Sequence, residues 1–147
     1  YMLLIIRNEK MLLEMIQDTE KAFPEHLAFF MLHHLHHPER TALFHQIEER
    51  LSTTGQGIQL LFSELYKIRR QRLRIIIRMT ESYLVDIHSS MTTRDYLAAI
   101  WSLTYGAAVI LNSSFYQRYL GSRDTLRVAY IEQALAMPKQ LEQVAAS

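Results

Sequence analysis

Apolar positions recur along this chain at three- and four-residue spacing, and no stretch alternates in the two-residue rhythm of a strand. The pattern predicts an all-α domain of about six helices. The first runs from about Met2 to Ala22, with Leu12, Met15, Ile16 and Thr19 at helical spacing and Glu9, Lys10, Asp18 and Lys21 mostly elsewhere. Phe23-Pro24 ends it, because the residue before a proline resists the α region and proline suits the first turn of the next helix. The second helix, Pro24 to His36, aligns Leu27, Phe30, Met31 and His34 on one stripe, and Pro38 opens a third that ends near Leu51.

Ser52 to Gly57 reads as the clearest loop. A fourth helix follows from Ile58 to about Ile87 without proline or glycine. Thr92-Thr93-Arg94-Asp95 has capping-box spacing, with Asp in place of Glu or Gln, and opens a fifth helix reaching about Tyr116. Gly121-Ser122 separates it from a sixth, Arg123 to Met137, stopped by Pro138; residues 138–147 form a tail.

From Tyr96 to Leu111 there is no charged side chain, and apolar groups occupy every face, so this helix is expected to be buried all round. It is shorter than the roughly 18 to 20 apolar residues of a membrane span and is interrupted by Ser102, Thr104 and Gly106, which argues against a membrane role. Ala98, Ala99, Gly106, Ala107 and Ala108 suit close helix contact. Six helices can hardly surround it, so a symmetric homodimer is the economical expectation; a central core helix within one monomer is the alternative.

Composition adds limits. The 147 residues suit one domain (1–147), and 49% hydrophobic with 21% charged residues is globular composition. A net charge of +1 supplies no global field for nucleic acid or an anionic membrane. Without cysteine there is no disulfide, thiolate nucleophile or thiolate metal ligand. The first residues lack the basic leader and cleavage site of a secretory signal, so a cytoplasmic protein is expected. Because the sequence starts at Tyr1 and not at an initiator Met, further residues upstream are expected as well.

Candidate chemistry is sparse. His33 and His37 have an i,i+4 spacing that can chelate an ion, but the only nearby acids are Glu25 and Glu39, and the cluster reads as an ordinary helix end rather than a metal site. His34 shares the apolar stripe, as a satisfied core histidine or as a polar group facing a cavity. On the fourth helix, Lys67, Arg70, Arg74 and Arg78 project opposite Leu61, Leu65, Ile68, Ile75 and Met79, as a solvated face does. Arg69 and Arg72 instead fall within the apolar arc, where an unpaired charge is very costly. Arg69 or Arg72 is expected to meet an internal carboxylate, such as Glu14 or Glu64, or the acid group of a ligand. No catalytic motif is present, so no enzyme is expected, and no cofactor.

In order of pieces the chain resembles the C-terminal ligand-binding and dimerisation domain of TetR-family transcriptional regulators. The segment from Ile6 to Leu13 is similar to the element that hands over from the DNA-binding head, with Ile6 in place of the aromatic and the Lys-Glu order reversed. Phe23-Pro24-Glu25-His26-Leu27 and Leu35-His36-His37-Pro38-Glu39-Arg40 resemble the helix starts that follow. Asp95 to Gly106 resembles the signature of the family's dimer helix.

The resemblance implies a homodimer seam within residues 92–137, here Ala98, Ala99, Gly106, Ala107, Ile110, Val128, Ile131 and Leu135. It also implies a pocket for a small apolar or amphipathic effector, for which Phe30, His34, Phe62, Tyr66, Arg69, Arg72, Met79, Tyr83, Trp101 and Tyr105 are the candidates. Effector binding would release operator DNA held by an N-terminal helix-turn-helix outside this chain. A helical interaction module or scaffold without a ligand is the alternative.

Overall fold

The computed structural model describes residues 1–54 and 58–146, with side chains for 1–53 and 58–139. It is all-helical. The elements are α1 (Met2–Ile16), α2 (Phe23–Leu35), α3 (Pro38–Thr54), α4 (Gln59–Asp86), α5 (Thr93–Leu111), a single 3-10 turn (Tyr116–Arg118) and α6 (Arg123–Ala146). No strand occurs among the described residues.

Helix ends depart from the predicted ones where side chains capture the backbone. α1 stops at Ile16, short of Ala22, because Asp18 turns the chain. Its carboxylate accepts from the Glu20 amide at 3.0 Å, and its carbonyl sits 2.9 Å from Nε2 of the buried His26. α3 runs past Leu51 to Thr54, since the Ser52 hydroxyl donates back to the Glu49 carbonyl and the Thr53 hydroxyl to the Arg50 carbonyl, which leaves the helix intact. The rest of the expected loop, residues 55–57, lies outside the described residues.

α4 ends in a Schellman turn. His88 adopts φ 56° while the amides of His88 and Ser89 bond to the Val85 and Leu84 carbonyls. At the start of α5, the Thr92 hydroxyl accepts from the Asp95 amide at 3.2 Å, the bond expected from the capping spacing. α5 ends at Leu111, not Tyr116, and its last carbonyl takes hydrogen bonds from the Gln117 and Arg123 side chains.

The largest departure is α6, which continues through Pro138 instead of ending there. A proline within a helix lacks the amide that would serve the carbonyl four residues earlier. That carbonyl belongs to Ala134, and the buried Tyr96 hydroxyl donates to it at 2.7 Å. The Ser89 hydroxyl donates to the Pro138 carbonyl at 2.9 Å, tying α6 to the α4–α5 connection.

Two apolar clusters hold the bundle. Leu27, Met31, Leu35, Leu84, Tyr96, Ile100, Ala108 and Leu111 form one, joining α2, the C-terminal part of α4, α5 and α6. Met2, Ile5, Ile6, Phe62, Leu65 and Ile68 form the other, joining α1 to the N-terminal part of α4, with Phe44 and Ile47 of α3 beside it. The long α4 therefore spans both clusters, and α1 lies along it. No helix among the described residues is long and apolar enough to cross a membrane.

Candidate functional site

Glu9 is the third member of an otherwise apolar stripe on α1, Met2-Ile5-Glu9-Leu12, so folding α1 onto α4 carries its carboxylate inside. There it is only 4% exposed. Two arginines from α4 meet it: Arg69 Nε and Arg72 Nη2 both donate to Glu9 Oε1 at 2.9 Å. Arg69 also makes a forked pair with Glu48 of α3, at 3.2 and 2.8 Å. One network thus pins three helices. Burial disfavours the Arg69 charge, but its hydrogen bonds to Glu48 and the charge and hydrogen bond of Glu9 prevail and raise its pKa.

The expected partners of the two arginines were Glu14 and Glu64. Glu14 is exposed, and Glu64 pairs with Lys10 at 3.3 Å near the surface; the internal carboxylates are Glu9 and Glu48 instead. By contrast Lys67, Arg70, Arg74 and Arg78 are all exposed, as their projection suggested.

Beside the network lies a half-open cavity of about 330 Å³ between α1, α2, α3, α4 and α5. Its polar lining includes Asn8, Glu9, His33, His34, Arg40, Thr41, His45, Glu48, Arg69, Arg72 and Tyr105, and its apolar walls include Phe44, Leu73, Ile76 and Trp101. This volume is at the lower end of small-molecule sites. A second, narrower crevice of about 60 Å³ shares Leu12, Arg72, Ile76 and Trp101 with it and extends to Phe30 and Met79; its walls are mainly apolar.

His34 is 7% exposed, edge-on to Phe30, His33 and Tyr105 at 4.8, 5.1 and 5.2 Å between ring centres. Burial, then the His33, Arg72 and Arg40 charges, lowers its pKa to about 3, so its imidazole is neutral near pH 7. His33 is lowered to about 4, chiefly by burial, and its Nε2 lies 2.8 Å from Asn8 Oδ1. His37 stands at the surface, 3.7 Å from Glu39. Among the described residues no group of three or more His, Asp or Glu side chains is placed to hold a metal ion.

Of the pocket candidates, His34, Arg69, Arg72, Trp101 and Tyr105 line the cavity, and Phe30 and Met79 the crevice. Three are placed elsewhere. Phe62 is buried between α4 and α1, Tyr66 is 39% exposed beside it, and Tyr83 stacks on Phe23 at 4.3 Å. All three belong to α4, whose length carries one apolar stripe past several neighbours, so stripe membership alone could not assign them to the cavity.

The described residues do not surround α5. Ala98, Ser102, Tyr105, Gly106 and Val109 form an exposed stripe, and a methyl group built on Gly106 meets nothing within 4 Å. Among the seam candidates, Val128 is 54% exposed, Ala99 and Ile110 are half-buried, and Ile131 and Leu135 pack partly against the core. Ala107 is the correction: at 5% exposure it faces the core of its own chain, on the opposite side from the open stripe. Phe115, Tyr116 and Tyr119, 59%, 47% and 73% exposed, cluster just beyond the end of α5.

No family model matches this chain, and no curated protein matches it.

Proposed function

We propose that this chain is the effector-sensing and dimerisation domain of a TetR-like transcriptional regulator. A small amphipathic effector occupies the cavity, and two copies pair through the open face of α5 with α6. An N-terminal helix-turn-helix outside these residues is held by α1 and releases operator DNA when the effector binds. The observation that carries the reading is the cavity wall itself: two of the arginines that line it, Arg69 and Arg72, grip Glu9 of α1. A ligand competing for Arg72 changes the hold of α4 on α1, which is the differential contact that coupling between two sites requires.

The dimer half of the reading rests on the uncharged stripe Ala98-Ser102-Gly106-Val109 and on the exposed aromatics beyond it. Its test uses the room around Gly106. At Gly106 the first side-chain carbon of a leucine meets no described atom of its own chain, and the position is exposed, whereas at a close helix contact Gly106→Leu forces the copies apart. Sedimentation equilibrium at micromolar concentration is expected to show a dimer for the parent chain and a weakened dimer for the variant, with the helical content of both equal. A monomeric parent chain, or a dimer indifferent to the substitution, would favour a helical interaction module instead.

A further inference from the structure

Three arginines line the cavity, against two carboxylates. Arg69 and Arg72 take both acids: Glu9 accepts from the two of them, and Glu48 is held by the fork of Arg69. Arg40 is left over. Its neighbour Glu39 turns to His37 at 3.7 Å, and no carboxylate among the described residues pairs with the Arg40 guanidinium. The other titratable groups of the wall do not balance it. His33 and His34, lowered chiefly by burial to about 4 and 3, are neutral near pH 7, and the Tyr105 phenol keeps its proton there. His45, exposed at the mouth, can add only positive charge. The cavity therefore carries one cation in excess.

The start of α3 sets the place of that cation. Pro38 has no amide to serve the His34 carbonyl, and side chains of α3 bridge the end of α2 instead. The Thr41 hydroxyl donates to the His34 carbonyl at 3.2 Å, and Arg40 Nη2 donates to the His33 carbonyl at 3.4 Å. Arg40 is half-buried, and this one contact is long. A guanidinium has several N–H donors in a planar fork that matches a carboxylate, so most of them stay available. The Arg40 charge is also the largest one felt by His33, and His34 feels it too, which sets it beside the imidazoles of the wall.

We propose that the cavity takes an amphipathic monocarboxylate whose acid group is held by Arg40, with its apolar body against Phe44, Leu73, Ile76 and Trp101. One negative charge matches the one excess cation. A phosphate monoester would bring too much negative charge beside Glu9 and Glu48, an ammonium ion meets a wall already positive, and a neutral molecule leaves Arg40 unmatched. The proposal rests on the sensor reading of the cavity and deepens it. Two tasks are then separate within one wall: Arg69 and Arg72 hold α1, while Arg40, outside that network, selects the charge of the ligand.

The test compares para-butylbenzoate with para-butylbenzamide, which has the same outline and no charge. Calorimetric titration of the full chain at pH 7 is expected to show the acid binding at least about tenfold more tightly, the worth of a hydrogen bond between charged groups. Arg40→Gln should erase that preference and keep the affinity for the amide. Arg70→Gln, which removes the same charge from an exposed site on α4, should leave the preference intact. A measurement that needs no variant is the proton–nitrogen spectrum of the arginine side chains in the parent chain. The Arg40 Nε–H signal should move further with benzoate than with benzamide, and the Arg70 signal with neither.

Equal affinities, a preference that survives in Arg40→Gln or disappears in Arg70→Gln, an Arg40 signal indifferent to benzoate, or no binding of either compound at millimolar concentration would each overturn the proposal. Benzamide bound as tightly as benzoate would still leave the cavity a ligand site, so the sensor reading would stand without its anion. A monomeric parent chain, conversely, would defeat the sensor reading even if the preference for the acid held.

Discussion

Replacing Glu9 by Gln probes the network on which the candidate site depends. The carboxylate accepts two hydrogen bonds at 2.9 Å from guanidinium groups, with 5% of its side chain exposed. Arg69 keeps its forked pair with Glu48 and is itself 37% exposed, so its loss is small. Arg72, with a 10% exposed side chain, loses the one carboxylate to which it is bonded. Breaking a buried pair by removing one partner costs about 3 to 5 kcal/mol. Gln retains an oxygen that can still accept, which places the expected loss near the lower figure, about 3 kcal/mol.

For a domain of this size that is a fall of about 6 to 12 °C in melting temperature, and a large share of a typical stability of about 5 to 15 kcal/mol. Urea unfolding followed by far-ultraviolet circular dichroism measures it. Arg72→Met removes the stranded charge, so the double variant should recover part of the loss, with a coupling of about 2 kcal/mol in the cycle. A cost below about 1 kcal/mol for Glu9→Gln, or two single effects that simply add, would refute the account of α1 being held through this pair.

Two further outcomes test particular contacts. Tyr96→Phe strands the Ala134 carbonyl and should cost about 1 to 2 kcal/mol. In a Pro138→Ala background the restored amide serves that carbonyl, so the same change should cost much less; equal costs in both backgrounds would show that the hydroxyl does not replace the missing amide. Acidification should destabilise the fold through His34, whose pKa is lowered by burial to about 3 in the folded chain from the ordinary imidazole value of 6.5. Between those values the unfolded chain binds the proton and the folded chain does not. Stability is therefore complete above pH 6.5 and falls as pH drops towards 3, by about 2 kcal/mol between pH 7 and pH 5. His33 acts in the same direction. Urea midpoints at the two pH values measure the fall, which His34→Phe should lessen; a midpoint that rises on acidification would contradict the buried neutral imidazole.

The apolar spacing was enough to place six helices, because each must bury one stripe and that stripe is written locally. Helix ends were less legible. α1 is cut short by Asp18 and α5 by the bonds that Gln117 and Arg123 make to Leu111, and these depend on rotamers that spacing does not specify. The continuation of α6 through Pro138 depends on Tyr96, a residue distant in sequence. Arg69 and Arg72 stood out because they interrupt an apolar arc, but their partners were misidentified. A mirror-image signal was available: Glu9 interrupts the stripe of α1, and Glu48 follows Thr41 and Phe44 at helical spacing on α3. Charges that break apolar stripes on different helices are natural partners, since each needs the other's burial to be tolerable.

The polar wall is costly to maintain, and that cost bears on its purpose. An empty apolar cavity of about 330 Å³ would forfeit on the order of 8 kcal/mol at about 24 cal/mol per Å³, comparable with the stability of an entire domain. Polar lining reduces that penalty by holding water, yet it introduces buried charges where leucines would serve the fold as well or better. Two buried atoms of these lining residues, His34 Nε2 and Arg72 Nε, have no hydrogen-bond partner among the described residues. They are fixed from behind, His34 by Thr41 and the proline that frees its carbonyl, Arg72 by Glu9. Rigid support of side chains that line a cavity lowers the ordering cost of meeting a ligand. Arg72 both lines the cavity and holds Glu9 of α1 through its Nη2, so a ligand that displaces Arg72 is felt at that contact without any longer path.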